Sequence, residues 1–188
     1  GRPPVDSGVL TGPTPGYGFP LPGSNPVEQK AWLVWNLRSG LNVAALQCGR
    51  HPLLFTESNY NAMLTNHGAE LDAAFKTLTA YFKRVNKTAG AGQKALDSFG
   101  TRTYSSFSAV SGIQIFCTIS GDVGGKARFT PRGSLHTLAS EQLVSLFSAV
   151  KSTKGEQAIR RTAAPWAARL PNLDDRCWKK NKYNPKCG

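Results

Sequence analysis

Hydrophobic positions along the chain fall into one aperiodic stretch followed by several with helical spacing. Residues 1–26 hold Pro3, Pro4, Pro13, Pro15, Pro20, Pro22 and Pro26 together with six glycines. That composition blocks both helix and central strand, so an irregular arm is predicted there. From Pro26 the pattern changes. Val34, Leu37, Leu41, Ala44, Ala45 and Cys48 recur at steps of three and four, which predicts an amphipathic helix over 27–48, started by Pro26 and ended at Gly49. Gly40 in its middle weakens it by about 1 kcal/mol relative to Ala, or admits another helix at close range.

The strongest period lies in SNYNAMLTNHGAELDAAFKTLTAYFKRV, where Tyr60, Met63, Leu64, His67, Leu71, Ala74, Phe75, Leu78, Phe82 and Val85 form one stripe. The expectation is a single helix over 58–85, capped by Ser58 or Thr56 and about 42 Å long. His67 on that stripe reads as a core histidine with a hydrogen-bond partner rather than a ligand. NKTAGAG (86–92) reads as a loop, and helical spacing returns at Ala95, Leu96 and Phe99. Over 112–120 the alternation of Ile113, Ile115, Cys117 and Ile119 also fits a strand; helix is preferred because no comparable second strand exists to pair with it. GDVGGK and TPRG are expected to be turns. Ser134 is expected to cap SLHTLASEQLVSLFSAV, with Leu135, Leu138, Ala139, Leu143, Leu146, Phe147 and Val150 as the buried face and His136 in solvent. Residues 151–164 continue that helix or start another.

The fold class is therefore all-α: a small helical bundle over 27–150, with the Gly/Pro-rich arm (1–26) before it and a basic, aromatic extension (151–188) after it. The runs WNLRSGLNVAALQC (35–48), SNYNAMLTNHGAELDAAFKTLTAYFKR and TRTYSSFS (101–108) resemble a group of small exported helical proteins of alphaproteobacteria over roughly residues 30–150. The resemblance implies a helical fold and export. That group has no assigned activity, so no catalytic residue carries over.

Composition sharpens the picture in two ways. The 188 residues carry 23 Lys and Arg against 11 Asp and Glu, a formal charge of +12. Such an excess favours encounters with polyanions: nucleic acid, anionic lipid head groups or acidic polysaccharide. The four cysteines, an even number, fit an oxidising compartment. Four cysteines allow three pairings. The favoured one closes the short loop CWKKNKYNPKC between Cys177 and Cys187 and leaves Cys48 to pair with Cys117. No run approaches the roughly 20 apolar residues of a membrane span. A start on GRPPVDSG without Met is expected for a processed, exported form, located in the periplasm, at the cell surface or outside the cell.

Candidate chemistry is sparse. Cys48 beside Arg50 and His51 has the parts of an activated thiol, but an available partner at Cys117 favours a staple. Metal spacing is missing: no Cys-x-x-Cys occurs, and His51, His67 and His136 lie far apart. Glu57, Glu70, Asp72, Asp97 and Glu141 are the carboxylates a cell-wall hydrolase would draw on; none sits in a motif, and Glu70 and Asp72 face different ways on a helix. Phosphate-loop, dinucleotide, zinc-protease and esterase motifs are absent from the sequence. Asn86-Lys87-Thr88 is a formal glycosylation acceptor, relevant in a eukaryotic source. No cofactor is expected.

The extension holds the most distinctive chemistry. Arg160, Arg161, Arg169, Arg176, Lys179, Lys180, Lys182 and Lys186 are interleaved with Trp166, Trp178 and Tyr183. Cations capture phosphate or carboxylate and aromatic faces stack on sugars or bases; in an oxidising compartment, acidic glycan or lipopolysaccharide is favoured over nucleic acid. The same residues also suit a subunit contact. Taken together, the sequence points to a non-enzymatic exported structural or accessory subunit of a cell-envelope or extracellular assembly, held to neighbouring subunits by its arms. The alternatives are a polyanion-binding module acting through the extension and a cell-wall carbohydrate hydrolase.

Overall fold

A computed structural model describes the backbone over residues 8–108, 113–162, 178–179 and 182–183, and the side chains over 8–108 and 113–151. The helices are α1 (Pro26–Gln47), α2 (Thr56–Asn66), α3 (Gly68–Val85), α4 (Ala89–Phe107), α5 (Gln114–Phe129) and α6 (Leu135–Thr162), with a 3-10 turn at Pro52–Leu54. Two compact units are distinguished, residues 1–157 and 158–188. The fold is all-α apart from a two-residue antiparallel ladder in the second unit, β1 (Trp178–Lys179) with β2 (Lys182–Tyr183).

Helix α1 is the centre of the first unit. Its start is fixed by a capping box. The Asn25 side chain accepts the Glu28 N–H at 2.9 Å and the Glu28 carboxylate accepts the Asn25 N–H at 2.8 Å. Val34, Leu37, Leu41, Ala44 and Cys48 are buried, as their spacing predicts, but so are Trp32, Leu33 and Val43 off that stripe. Neighbours on several sides account for this, since α2, α3, α4 and α5 all pack on α1. Gly40 lies against the Phe107 ring, where an added Cβ would come within 3.2 Å, so of its two predicted roles close approach is realised.

The expected single helix over 58–85 is two helices, broken at His67. Its backbone leaves helical geometry at φ −115° and ψ 18°, and its Nε2 donates to the Ala127 carbonyl of α5 at 2.9 Å. The stripe stays apolar across the break because α2 faces α5 while α3 faces α1 and α4. His67 is 2% exposed, the core histidine its position predicts. Neither Thr56 nor Ser58 caps α2. Its N-cap is Phe55, a left-handed residue at φ 52° with no side-chain cap bond, and the Ser58 hydroxyl donates instead to the Phe55 carbonyl at 3.1 Å.

Two further turns prove to be helix. The loop predicted over 86–92 shrinks to three residues, because Thr88 accepts the Ala91 N–H at 3.1 Å and α4 begins at Ala89. GDVGGK lies inside α5, which also settles 114–120 as helix. Its glycines are contact residues: an added Cβ on Gly121 would meet Leu54 at 3.1 Å, and one on Gly124 would meet Asn59 at 3.2 Å. The successive contacts 54 with 121 and 59 with 124 show α2 and α5 running alongside each other in the same direction. Thr130 to Ser134 form the turn that TPRG predicts, with Gly133 at φ 84°.

Helix α6 starts on a carboxylate from another helix. Glu70 of α3 accepts the N–H groups of Leu135 and His136 at 3.0 and 2.9 Å, and its Oε1 lies 3.0 Å from His136 Nδ1. These bonds satisfy N–H groups that a helix start leaves open. His136 is consequently half-buried against Glu70, not in solvent.

The arm over residues 8–25 lies on its own chain. Leu10 and Leu21 are buried, and Leu10 N–H donates to Ser140 O at 2.9 Å while the Ser140 hydroxyl donates back to Leu10 O. Gly18 sits at φ 64° beneath the Trp32 ring, where any Cβ would come within 2.6 Å. Trp32, with no exposed surface, donates its Nε1–H to Phe19 O at 2.8 Å. Next to the capping box, Arg84 of α3 bonds both Glu28 oxygens at 2.8 and 2.7 Å, and the Tyr81 hydroxyl donates to Pro22 O at 2.9 Å. Burial by itself would raise the Glu28 pKa. The Arg84 hydrogen bonds, the Asn25 N–H and the Arg84 charge outweigh it and hold the carboxyl below its ordinary 4.5.

Two outcomes test this packing. Gly121→Val and Gly124→Val should each lower stability in urea unfolding by about 2 kcal/mol, whereas Gly125→Ala, with 4.0 Å of clearance, should be neutral or stabilising. Tolerance of valine at both positions would contradict the helix contact. A depressed folded pKa means that the stability from Glu28 is present at neutral pH and lost as pH falls through that pKa. Glu28→Gln should therefore cost about 1–2 kcal/mol at pH 7, allowing for the half-exposed Arg84, and progressively less in acid; a gap independent of pH would contradict the pairing.

Candidate functional site

Cys48 and Cys117 form a disulfide with Cα atoms 5.6 Å apart. The bond joins the C-terminal end of α1 to the first turn of α5, and both residues are buried, at 1% and 0% exposure. As half of a disulfide, Cys48 carries no thiol for nucleophilic chemistry, and the staple reading of AALQCGRHP is the one realised. Beside it a groove of about 320 Å³ is lined by Ala45, His51, Pro52, Phe55, Glu57 and Asn61.

The five candidate carboxylates have different surroundings, with Glu141 standing exposed on α6. Glu70 is engaged by the α6 start, Asp72 pairs with Lys76 at 2.7 Å, and Asp97 accepts the Gln93 side-chain N–H at 2.9 Å. Glu57 lines the groove beside the disulfide, Glu70 a groove with Lys30 and His136, and Asp72 a third with Trp35 and Phe75. Among the described residues, no three His, Cys, Asp or Glu side chains converge as a metal site. The three histidines sit in three settings: His51 at the turn after α1, His67 in the core and His136 on Glu70.

Of the extension, Arg160 and Arg161 fall on the last turn of α6, and the ladder sets Trp178 opposite Tyr183 and Lys179 opposite Lys182. Trp166, Arg169, Arg176, Lys180, Lys186 and the expected Cys177–Cys187 bond lie outside the described residues.

Sequence periodicity misses two surface features. Trp35 and Phe75 pack at 5.4 Å between ring centroids, with the Arg38 guanidinium 4.9 Å from the Trp35 ring, and they wall a groove of about 470 Å³. The apolar residues of the turn after α1 diverge: Leu54 packs on the core, while Leu53 and Phe55 are 84% and 60% exposed. Phe129, 82% exposed, stands at the end of α5. The only sequence signal of the turn is PLLF itself, four apolar residues between helices. Among the described residues no helix is long and apolar enough to cross a membrane.

Comparison with known proteins finds no matching family model, no matching curated protein and no matching solved structure.

Proposed function

We propose that the chain is an exported, non-enzymatic accessory protein of the cell envelope or extracellular space, which attaches to an acidic glycan or similar polyanion through its basic extension. The carrying observation is the charge of that segment. Residues 152–188 contain nine Lys and Arg against three Asp and Glu, with three aromatics among them. Attraction of this kind is long-ranged and salt-dependent, and aromatic faces give it a grip on sugar rings. The buried Cys48–Cys117 bond supports the exported half of the reading, because buried structural disulfides persist in oxidising compartments.

Three of the five candidate carboxylates, Glu70, Asp72 and Asp97, are engaged by partners of their own, which favours binding over hydrolysis. Attachment to neighbouring subunits through the arm draws little support from residues 8–25, where Leu10 and Leu21 are buried and Tyr17 and Phe19 partly buried against the chain's own core, which leaves Val9 as the large apolar side chain exposed there. A contact with other proteins of an envelope assembly is then sought on the extension as well.

Binding to polygalacturonate, followed calorimetrically across a salt series, tests the proposal. The affinity should fall steadily as salt rises, and Trp178→Ala/Lys179→Ala/Lys180→Ala should lower it about tenfold or more while leaving the thermal midpoint unchanged. Affinity that ignores both salt and the triple substitution would overturn it.

A further inference from the structure

We infer that the turn Pro52–Phe55 is a docking element that places Leu53 and Phe55 into the interfacial layer of an anionic lipid surface. This goes beyond the glycan reading and uses a different part of the molecule. Both side chains point away from the core, at 84% and 60% exposure, and Leu46 at the same end of α1 is 70% exposed. Large apolar side chains scattered singly are ordinary; two on one short turn are not.

The local backbone is built to present them. Phe55 adopts φ 52°, a left-handed conformation that disfavours a bulky side chain and normally falls to Gly or Asn. It also occupies the N-cap of α2 without a side-chain cap, although Thr56 and Ser58 follow immediately. That backbone closes the 3-10 turn, the Phe55 N–H donating to the Pro52 carbonyl at 3.2 Å; Gly or Asn would close it without strain, and strained positions of this kind cluster at functional sites. The turn is rigid as well. Cys48, four residues before Pro52, is bonded to α5, and Leu54, between the two exposed residues, packs on Gly121 of the same helix.

Size and charge select the occupant. Two exposed side chains on one turn fall far short of the about 800 Å² per partner that a stable protein interface buries, too little for a second copy by itself. A bilayer interface accepts a small apolar wedge when electrostatic attraction supplements it. The chain has a net charge of +12, and Arg50 stands exposed two residues before the turn. Glu57, also exposed, and Asp122, which follows the Gly121 that Leu54 packs on and pairs with Lys126 at 2.8 Å, oppose an anionic surface.

Flotation with phosphatidylcholine vesicles, with and without phosphatidylglycerol, is the test, using the whole chain, Leu53→Ser/Phe55→Gly and the extension triple variant. The native protein should float with anionic vesicles, and the Leu53/Phe55 variant should partition about tenfold or more less well. Glycine suits the positive φ, so that variant should melt no lower than the native protein and should keep its polygalacturonate affinity. Flotation that depends on the extension and not on Leu53 and Phe55 would overturn the inference while leaving the glycan reading in place. Dimerisation in light scattering that disappears in the Leu53/Phe55 variant would also overturn it, in favour of a protein contact. The glycan reading fails instead if the triple variant binds polygalacturonate as tightly as the native protein at every salt concentration, whatever the vesicles show.

Discussion

The bond between Cys48 and Cys117 encloses α2, α3 and α4 in one covalent loop with a sequence separation of 69 residues, and the arrangement at that end of the molecule is organised around it. Closing a loop of that length removes conformational freedom from the unfolded chain, worth about 4 kcal/mol in the chain-entropy account. In the folded state it fixes the end of α1 to the start of α5. Leu54 then reaches Gly121 and Asn59 reaches Gly124. The groove beside the bond and the exposed turn that follows it both owe their position to this joint.

Away from the staple, the arm performs the corresponding task at the other end of α1. The Glu28 carboxylate holds the first turn of α1 and Arg84 of α3 together, and Tyr81 reaches the arm carbonyl of Pro22. Trp32 is buried because Gly18 and Phe19 cover it. The arm is in this sense part of the core, with proline and glycine supplying turns instead of a repeating ladder. Basic residues exceed acidic ones over the chain as a whole, by 23 to 11.

Much of this is legible in the sequence because helical burial leaves a period. The arm, the extent of α1, the core position of His67 and the Cys48–Cys117 pairing can all be read from spacing or composition. Failures occur where long-range contacts override a local signal. The break at His67 depends on a carbonyl at Ala127, sixty residues away. GDVGGK looks like a turn because glycine disfavours helix in isolation, but in α5 the absence of a side chain is what lets α2 approach. His136 reads as solvent-facing because its partner, Glu70, lies on another helix. The grooves cannot be read at all, since Trp35, Arg38 and Phe75 meet only after α1 and α3 pack.

The dependence of the fold on its covalent joint is open to one direct measurement: urea unfolding, followed by circular dichroism, of the native protein and of Cys48→Ala/Cys117→Ala. The double variant should retain helical structure but lose about 4 kcal/mol of stability. Equal stability of the two proteins would contradict a stabilising role for the disulfide.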